Sequence, residues 1–104
     1  MTPLIVLTTV GASFDAAALA KHLVEQRLAA CVNIALQIRS IYRWQGKVED
    51  DFEQLLIIKT SAERIDALRD ALFAKHPYEV PEFVVVTIDR IDGPYREWLA
   101  DALQ

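Results

Sequence analysis

The amino-acid sequence predicts an α+β domain of split β-α-β type: a four-stranded sheet, two covering helices and an added C-terminal helix. Three observations lead there. Apolar runs and amphipathic stretches alternate in the order strand, helix, strand, strand, helix, strand, helix. The first six of these form the ferredoxin-like arrangement. The two middle strands are long and meet at a single turn signal. Finally, 104 residues at 53% hydrophobic and 25% charged suit one domain over residues 1–104 and argue against disorder.

Each element has its own signal. Leu4-Ile5-Val6-Leu7-Thr8-Thr9 is a short apolar run, expected to be a buried strand. Ser13 is placed to cap a helix whose apolar face is Ala16, Leu19, Ala20, Leu23 and Leu28, at three- and four-residue spacing. From Ala30 to Trp44 the period changes to two, which puts Val32, Ile34, Leu36, Ile38, Tyr42 and Trp44 on one face. Gln45-Gly46 signals a turn, and Lys47–Thr60 reads as the returning strand. Thr60-Ser61-Ala62-Glu63 has capping-box spacing and opens a helix that packs Ile65, Leu68 and Leu72, stopped by Pro77. Phe83–Ile88 reads as another buried strand. Gly93-Pro94 starts the last helix, with Tyr95, Trp98, Leu99 and Ala102 expected to face inward.

The middle hairpin carries the functional message. Strands usually run about 5–6 residues. Two strands of about 14 residues, at roughly 3.3 Å each, reach about 45 Å, whereas a chain of this length has a radius of gyration near ~13 Å. A projecting ribbon bearing Tyr42, Trp44, Val48 and Phe52 is marginal alone and leaves backbone edges unpaired. Pairing with a second copy resolves both problems; a bend or bulge that folds the ribbon back over its own sheet is the alternative. A homo-oligomeric binding protein is therefore expected.

Composition narrows the partners. Fifteen acidic against eleven basic residues give a net charge of -4, and the cations are scattered, which speaks against nucleic acid. The uncharged run Met1–Phe14 is too short to span a bilayer and lacks the positive start of a secretory signal. The lone Cys31 precludes an internal disulfide, so a cytoplasmic location is expected. No phosphate loop, dinucleotide fingerprint, paired histidines at helical spacing or paired-cysteine motif is present, and no nucleophile has an adjacent base, so no enzyme is expected. The loop Val10-Gly11-Ala12-Ser13 has one glycine and no arginine, and reads as an ordinary helix cap.

A few side chains remain as candidates. Glu49-Asp50-Asp51 with Glu53 either holds a hard cation or, as favoured here, solvates the ribbon, with Arg39 and Arg43 neutralising Asp50 across the strands. Cys31 reads as a small core residue or a soft-metal ligand. His22 reads as solvated. His76 ends a helix immediately before Pro77-Tyr78-Glu79-Val80-Pro81-Glu82, which sets imidazole, phenol and carboxylates on a proline-stiffened loop; imidazole and carboxylate suit a borderline divalent metal.

Read together, Ala29-Ala30-Cys31-Val32-Asn33-Ile34, Ser40-Ile41-Tyr42-Arg43-Trp44-Gln45-Gly46-Lys47-Val48-Glu49, Ile58-Lys59-Thr60 and His76–Glu82, with Tyr95 and Trp98, closely resemble the CutA family of divalent-ion tolerance proteins over essentially the whole chain. The resemblance implies a ferredoxin-like homotrimer linked by its hairpins, cytoplasmic, and similar in architecture to PII signalling proteins. It implies copper ligands at a first-strand cysteine and at histidines before the proline-tyrosine pair. Here Thr8 or Thr9 holds the first position and Lys75-His76 replaces the doublet. The expectation is thus weak Cu(II) or Zn(II) binding at His76 and Glu82, with no metal required for folding. The alternative is a PII-like sensor that takes a small organic or anionic ligand at subunit junctions through Lys59, Tyr42, Trp44 and Glu82, with Cys31 and Tyr78 in the same junction set and a downstream protein partner.

Overall fold

The alternation of the first strand is the frame for the rest. In a computed structural model describing Met1–Gln104, β1 spans Pro3–Gly11, α1 Ala16–Glu25, β2 Cys31–Trp44, β3 Lys47–Ser61, α2 Ile65–Lys75, β4 Val84–Thr87 and α3 Gly93–Ala102. The sheet is antiparallel throughout with strand order β2-β3-β1-β4, the split β-α-β topology that the element order predicts.

One face of the sheet meets the helices. Val6 and Val10 of β1 and Leu56 and Ile58 of β3 are buried against Leu19 and Leu23 of α1 and Leu68 and Leu72 of α2. These strand residues share parity, so their neighbours Leu7, Thr9, Leu55 and Ile57 point to the opposite face. There α3 adds a smaller cluster, with Leu99 and Leu103 on Ala30.

Four local expectations give way to tertiary contacts. Asp15, not Ser13, caps α1, its carboxylate accepting from the Ala18 amide. The capping box at Thr60–Glu63 does not form: Thr60 donates to the Leu28 carbonyl, Glu63 accepts from the Thr2 amide, and a 3₁₀ turn at Ala62–Arg64 leads into α2. The strand expected over Phe83–Ile88 is only Val84–Thr87 and lies exposed at the sheet edge. In α3, Leu99 and Leu103 are buried whereas Tyr95 and Trp98 are exposed. Apolar runs identify an element without stating which neighbour covers it.

The hairpin is as long as expected. Its turn places Gln45 at φ 49° and Gly46 at φ 81°, the left-handed pair of a two-residue type I′ turn. Because β1 ends where Gly11 pairs with Glu53, residues 47–52 of β3 have β2 as their only strand neighbour. The ribbon projects, giving the molecule a 44 Å long axis against 26 and 22 Å. Yet β2 is not one continuous face. Between the pairs Ala35↔Leu55 and Ile38↔Glu53, β2 has two residues, Leu36 and Gln37, opposite the single Gln54. This bulge reverses parity. Val32 and Ile34 face the helices, while Ile38, Ser40, Tyr42 and Trp44 face away from them.

Candidate functional site

Parity reversal at Leu36-Gln37 brings Tyr42 and Trp44 to the same face as Thr9 and Glu53. A cleft of about 560 Å³ results at the root of the ribbon. Ser40, Tyr42 and Trp44 of β2 form one wall, and Thr9 and Glu53 form the floor. The opposite wall is the segment after α2: Pro77, Tyr78, Glu79, Val80 and Glu82.

His76 fixes where that segment runs. The Tyr78 amide donates to His76 Nδ1 at 3.1 Å, so Nδ1 carries no proton and Nε2 is the protonated nitrogen. Nε2 lies 3.0 Å from the Thr9 carbonyl oxygen and 3.1 Å from Thr8 Oγ1. Both ring nitrogens are engaged in tying the segment to β1. Desolvation holds the imidazole below its ordinary value, opposed by the Thr9 hydrogen bond and by Glu53, in keeping with a neutral ring.

Pinned this way, the chain crosses β1 and delivers Tyr78 to Glu53. The phenol donates to Glu53 Oε2 at 2.6 Å. Glu53 is only 6% exposed although it belongs to the ribbon's acidic run, so it is not the solvating residue its neighbours are. No cationic side chain pairs with it. Tyr42 donates to Asp51 at 2.8 Å. Another acid of the run, Asp50, holds Arg39 bidentately at 2.7 and 2.8 Å as expected, on the ribbon's other face.

The electrostatics of the cleft all point one way. Hydrogen bonding to Asp51, with lesser desolvation and the charges of Asp51, Glu53 and Glu49, pushes the Tyr42 phenol up to about 12. Desolvation and then the bond to Glu53 raise Tyr78. Desolvation, then the nearby Glu53 charge, raises the Glu82 carboxyl. Three carboxylates and no Lys, Arg or His line the cleft. The chemistry on offer is the holding of a cation beside aromatic rings.

The expected site residues divide. Tyr42, Trp44, Tyr78 and Glu82 line the cleft, whereas His76 stands behind its wall, and no hydrogen bond or ion pair joins it to Glu82. Cys31 pairs across the strands with Lys59. Lys59 donates to Tyr95 Oη at 3.3 Å and lies over its ring. That cluster sits six residues along β3 from Glu53, about 20 Å at ~3.3 Å per residue. Within one chain, Lys59 thus serves no cleft ligand. Nowhere do three or more His, Cys, Asp or Glu side chains gather as the ligands of a closed metal centre would. The sequence offers Glu53 only as one member of an acidic run that solvates the ribbon, and Ser40 not as a site residue, because the segment that covers the Glu53 carboxylate lies 25 residues away.

Comparison with known proteins follows the same lines. A family model described as CutA1 divalent ion tolerance protein matches residues 4–102. The divalent-cation tolerance protein CutA of Thermus thermophilus is 46% identical over 93% of this chain and 94% of its own length. The CutA homolog of Xenopus laevis is 47% identical over 80% of this chain, which spans only 55% of that longer protein. The structure of CutA from Synechococcus elongatus superposes with a TM-score of 0.93 at 42% identity, covering 99% of this chain and 91% of that one.

Proposed function

The chain belongs to the CutA1 divalent ion tolerance family, and from that premise we propose that it acts as a homotrimer whose clefts bind divalent cations weakly and exchangeably. One observation carries the cation reading: Glu53 is a buried carboxylate with no cationic partner, and it opens on a cleft shared with Glu79 and Glu82. A hard or borderline divalent ion meets carboxylate oxygens there. His76 contributes only by giving up a hydrogen bond to Tyr78 or Thr9, and two or three scattered donors make an open site rather than a tight one. The trimer reading is supported by the projecting ribbon, with Ile41, Val48 and Phe52 exposed on one face and Tyr42 and Trp44 on the other. Covering them by other copies removes apolar surface from water and pairs the open strand edges.

Calorimetric titration of Zn(II) and Cu(II) tests the metal part. Millimolar-range binding that weakens in Glu53→Gln and Glu82→Gln but little in His76→Ala is expected. Binding unaffected by either glutamate substitution would remove metal from the cleft. A second reading, a sensor for a small organic ligand, is favoured by the aromatic walls from Tyr42, Trp44 and Tyr78. With Lys59 remote and no cation lining the cleft, that ligand is cationic rather than anionic.

A further inference from the structure

We infer that the cleft is a receptor for aliphatic polyamines, flexible chains carrying two or more ammonium groups, and that divalent ions compete with them for its carboxylates. This rests on the reading of the cleft as a cation site and adds the class of cation.

Size is the first ground. About 560 Å³ is the volume of a small-molecule pocket and far more than a single metal ion fills. The second is the arrangement of charge. Glu53, Glu79 and Glu82 line the same cleft, yet no three carboxylates converge on a point. Separated carboxylates match separated ammonium groups better than they match one ion. The third is Glu53 itself. One oxygen accepts the Tyr78 hydroxyl; the other receives no hydrogen bond, yet is not sealed in the interior. A buried carboxylate in this state is relieved by a donor that carries positive charge.

The walls complete the match. The phenol hydrogens of Tyr42 and Tyr78 are both committed to carboxylates, so these two phenols, like Glu53, Glu79 and Glu82, offer the cleft acceptors that a donating ligand satisfies. Indole and phenol faces attract ammonium groups and also cover the methylenes between them. A bare metal ion uses neither property. Hydrogen bonding to Asp51 for Tyr42, and desolvation for Tyr78 and Glu82, lead their upward shifts; nearby negative charge adds to each, and a bound cation opposes that added part.

The test is calorimetric titration of the full chain with spermidine, butylamine and the uncharged 1,8-octanediol, alongside Zn(II). Spermidine is expected to saturate one site per chain, at least about tenfold tighter than butylamine, the weight of one further charged hydrogen bond; octanediol should give no heat. Glu53→Gln preserves an acceptor for Tyr78 and should weaken spermidine about tenfold. Glu82→Gln, at a half-buried position, provides the same reading should Glu53→Gln fail to fold. Spermidine no tighter than butylamine, or indifferent to both glutamate substitutions, would overturn the inference. Zn(II) binding lost in Glu53→Gln with no spermidine heat would overturn it while leaving the cation site standing. Heat from neither ligand would overturn both.

Discussion

Truncating Trp44 separates assembly from folding. The indole lies one residue before the ribbon turn, paired with Lys47, and is 40% exposed in a single chain. Taking a tryptophan surface of ~250 Å², about 100 Å² stays open to water. Covering it is worth about 2.5 kcal/mol at ~25 cal/mol per Å², or roughly 7 kcal/mol over three chains. Trp44→Ala should therefore raise the trimer dissociation constant by about five orders of magnitude. The core, centred on Leu56, Ile58, Leu68 and Leu72, is untouched. Sedimentation over a dilution series reads the first effect, and far-ultraviolet circular dichroism of the dissociated chain reads the second. Val24→Ala supplies the control: Val24 is also 40% exposed, but it sits on α1, away from the ribbon. Dissociation unchanged in Trp44→Ala, or equally changed in Val24→Ala, would refute the assignment of the ribbon as the assembly surface.

Two further outcomes follow from the charges of the cleft and one from the core. Alkaline absorbance titration should find Tyr42 ionising at about 12, and Asp51→Asn should bring it back toward the ordinary 10.0; an unchanged profile would mean that the phenol–carboxylate bond is absent in solution. The folded-state pKa of Glu82 is raised above its ordinary 4.5, so its contribution to stability is complete below that value and is lost as pH rises through the elevated one. Glu82→Gln should thus leave denaturant midpoints unchanged near pH 4 and raise them at pH 7; a lower midpoint at pH 7 would contradict the sign. Leu68→Ala, fully buried between α2 and the sheet, should cost about 2–5 kcal/mol of unfolding free energy, and a loss below about 1 kcal/mol would place it outside the core.

Much of this was legible in the residues, and the limits have definite causes. Leu19, Leu23, Leu68 and Leu72 announce the two covering helices through spacing alone, and Gln45-Gly46 announces the hairpin because its backbone tolerates the left-handed region. The bulge was hidden, since Leu36-Gln37 continues the alternating pattern while the pairing partner supplies one residue fewer. That one slip decides that Tyr42 and Trp44 share a face with Glu53 rather than with Ile34. Tyr78 and Glu82 were visible as members of an unusual loop, but the role of His76 was not. Its nitrogens are consumed by Thr8, Thr9 and Tyr78, contacts that only the tertiary structure creates. The sides of α3 were misassigned for a related reason: Tyr95 and Trp98 look like core residues by type, yet Leu99 and Leu103 occupy the cluster with Ala30.

The assembly reading rests on a ribbon that its own chain leaves uncovered, and the mass of the wild-type particle in solution tests it most directly. Multi-angle light scattering at micromolar concentration should give about 35 kDa, three times the 11.8 kDa chain. A single species at 11.8 kDa, stable with Tyr42, Trp44, Val48 and Phe52 in water, would contradict it.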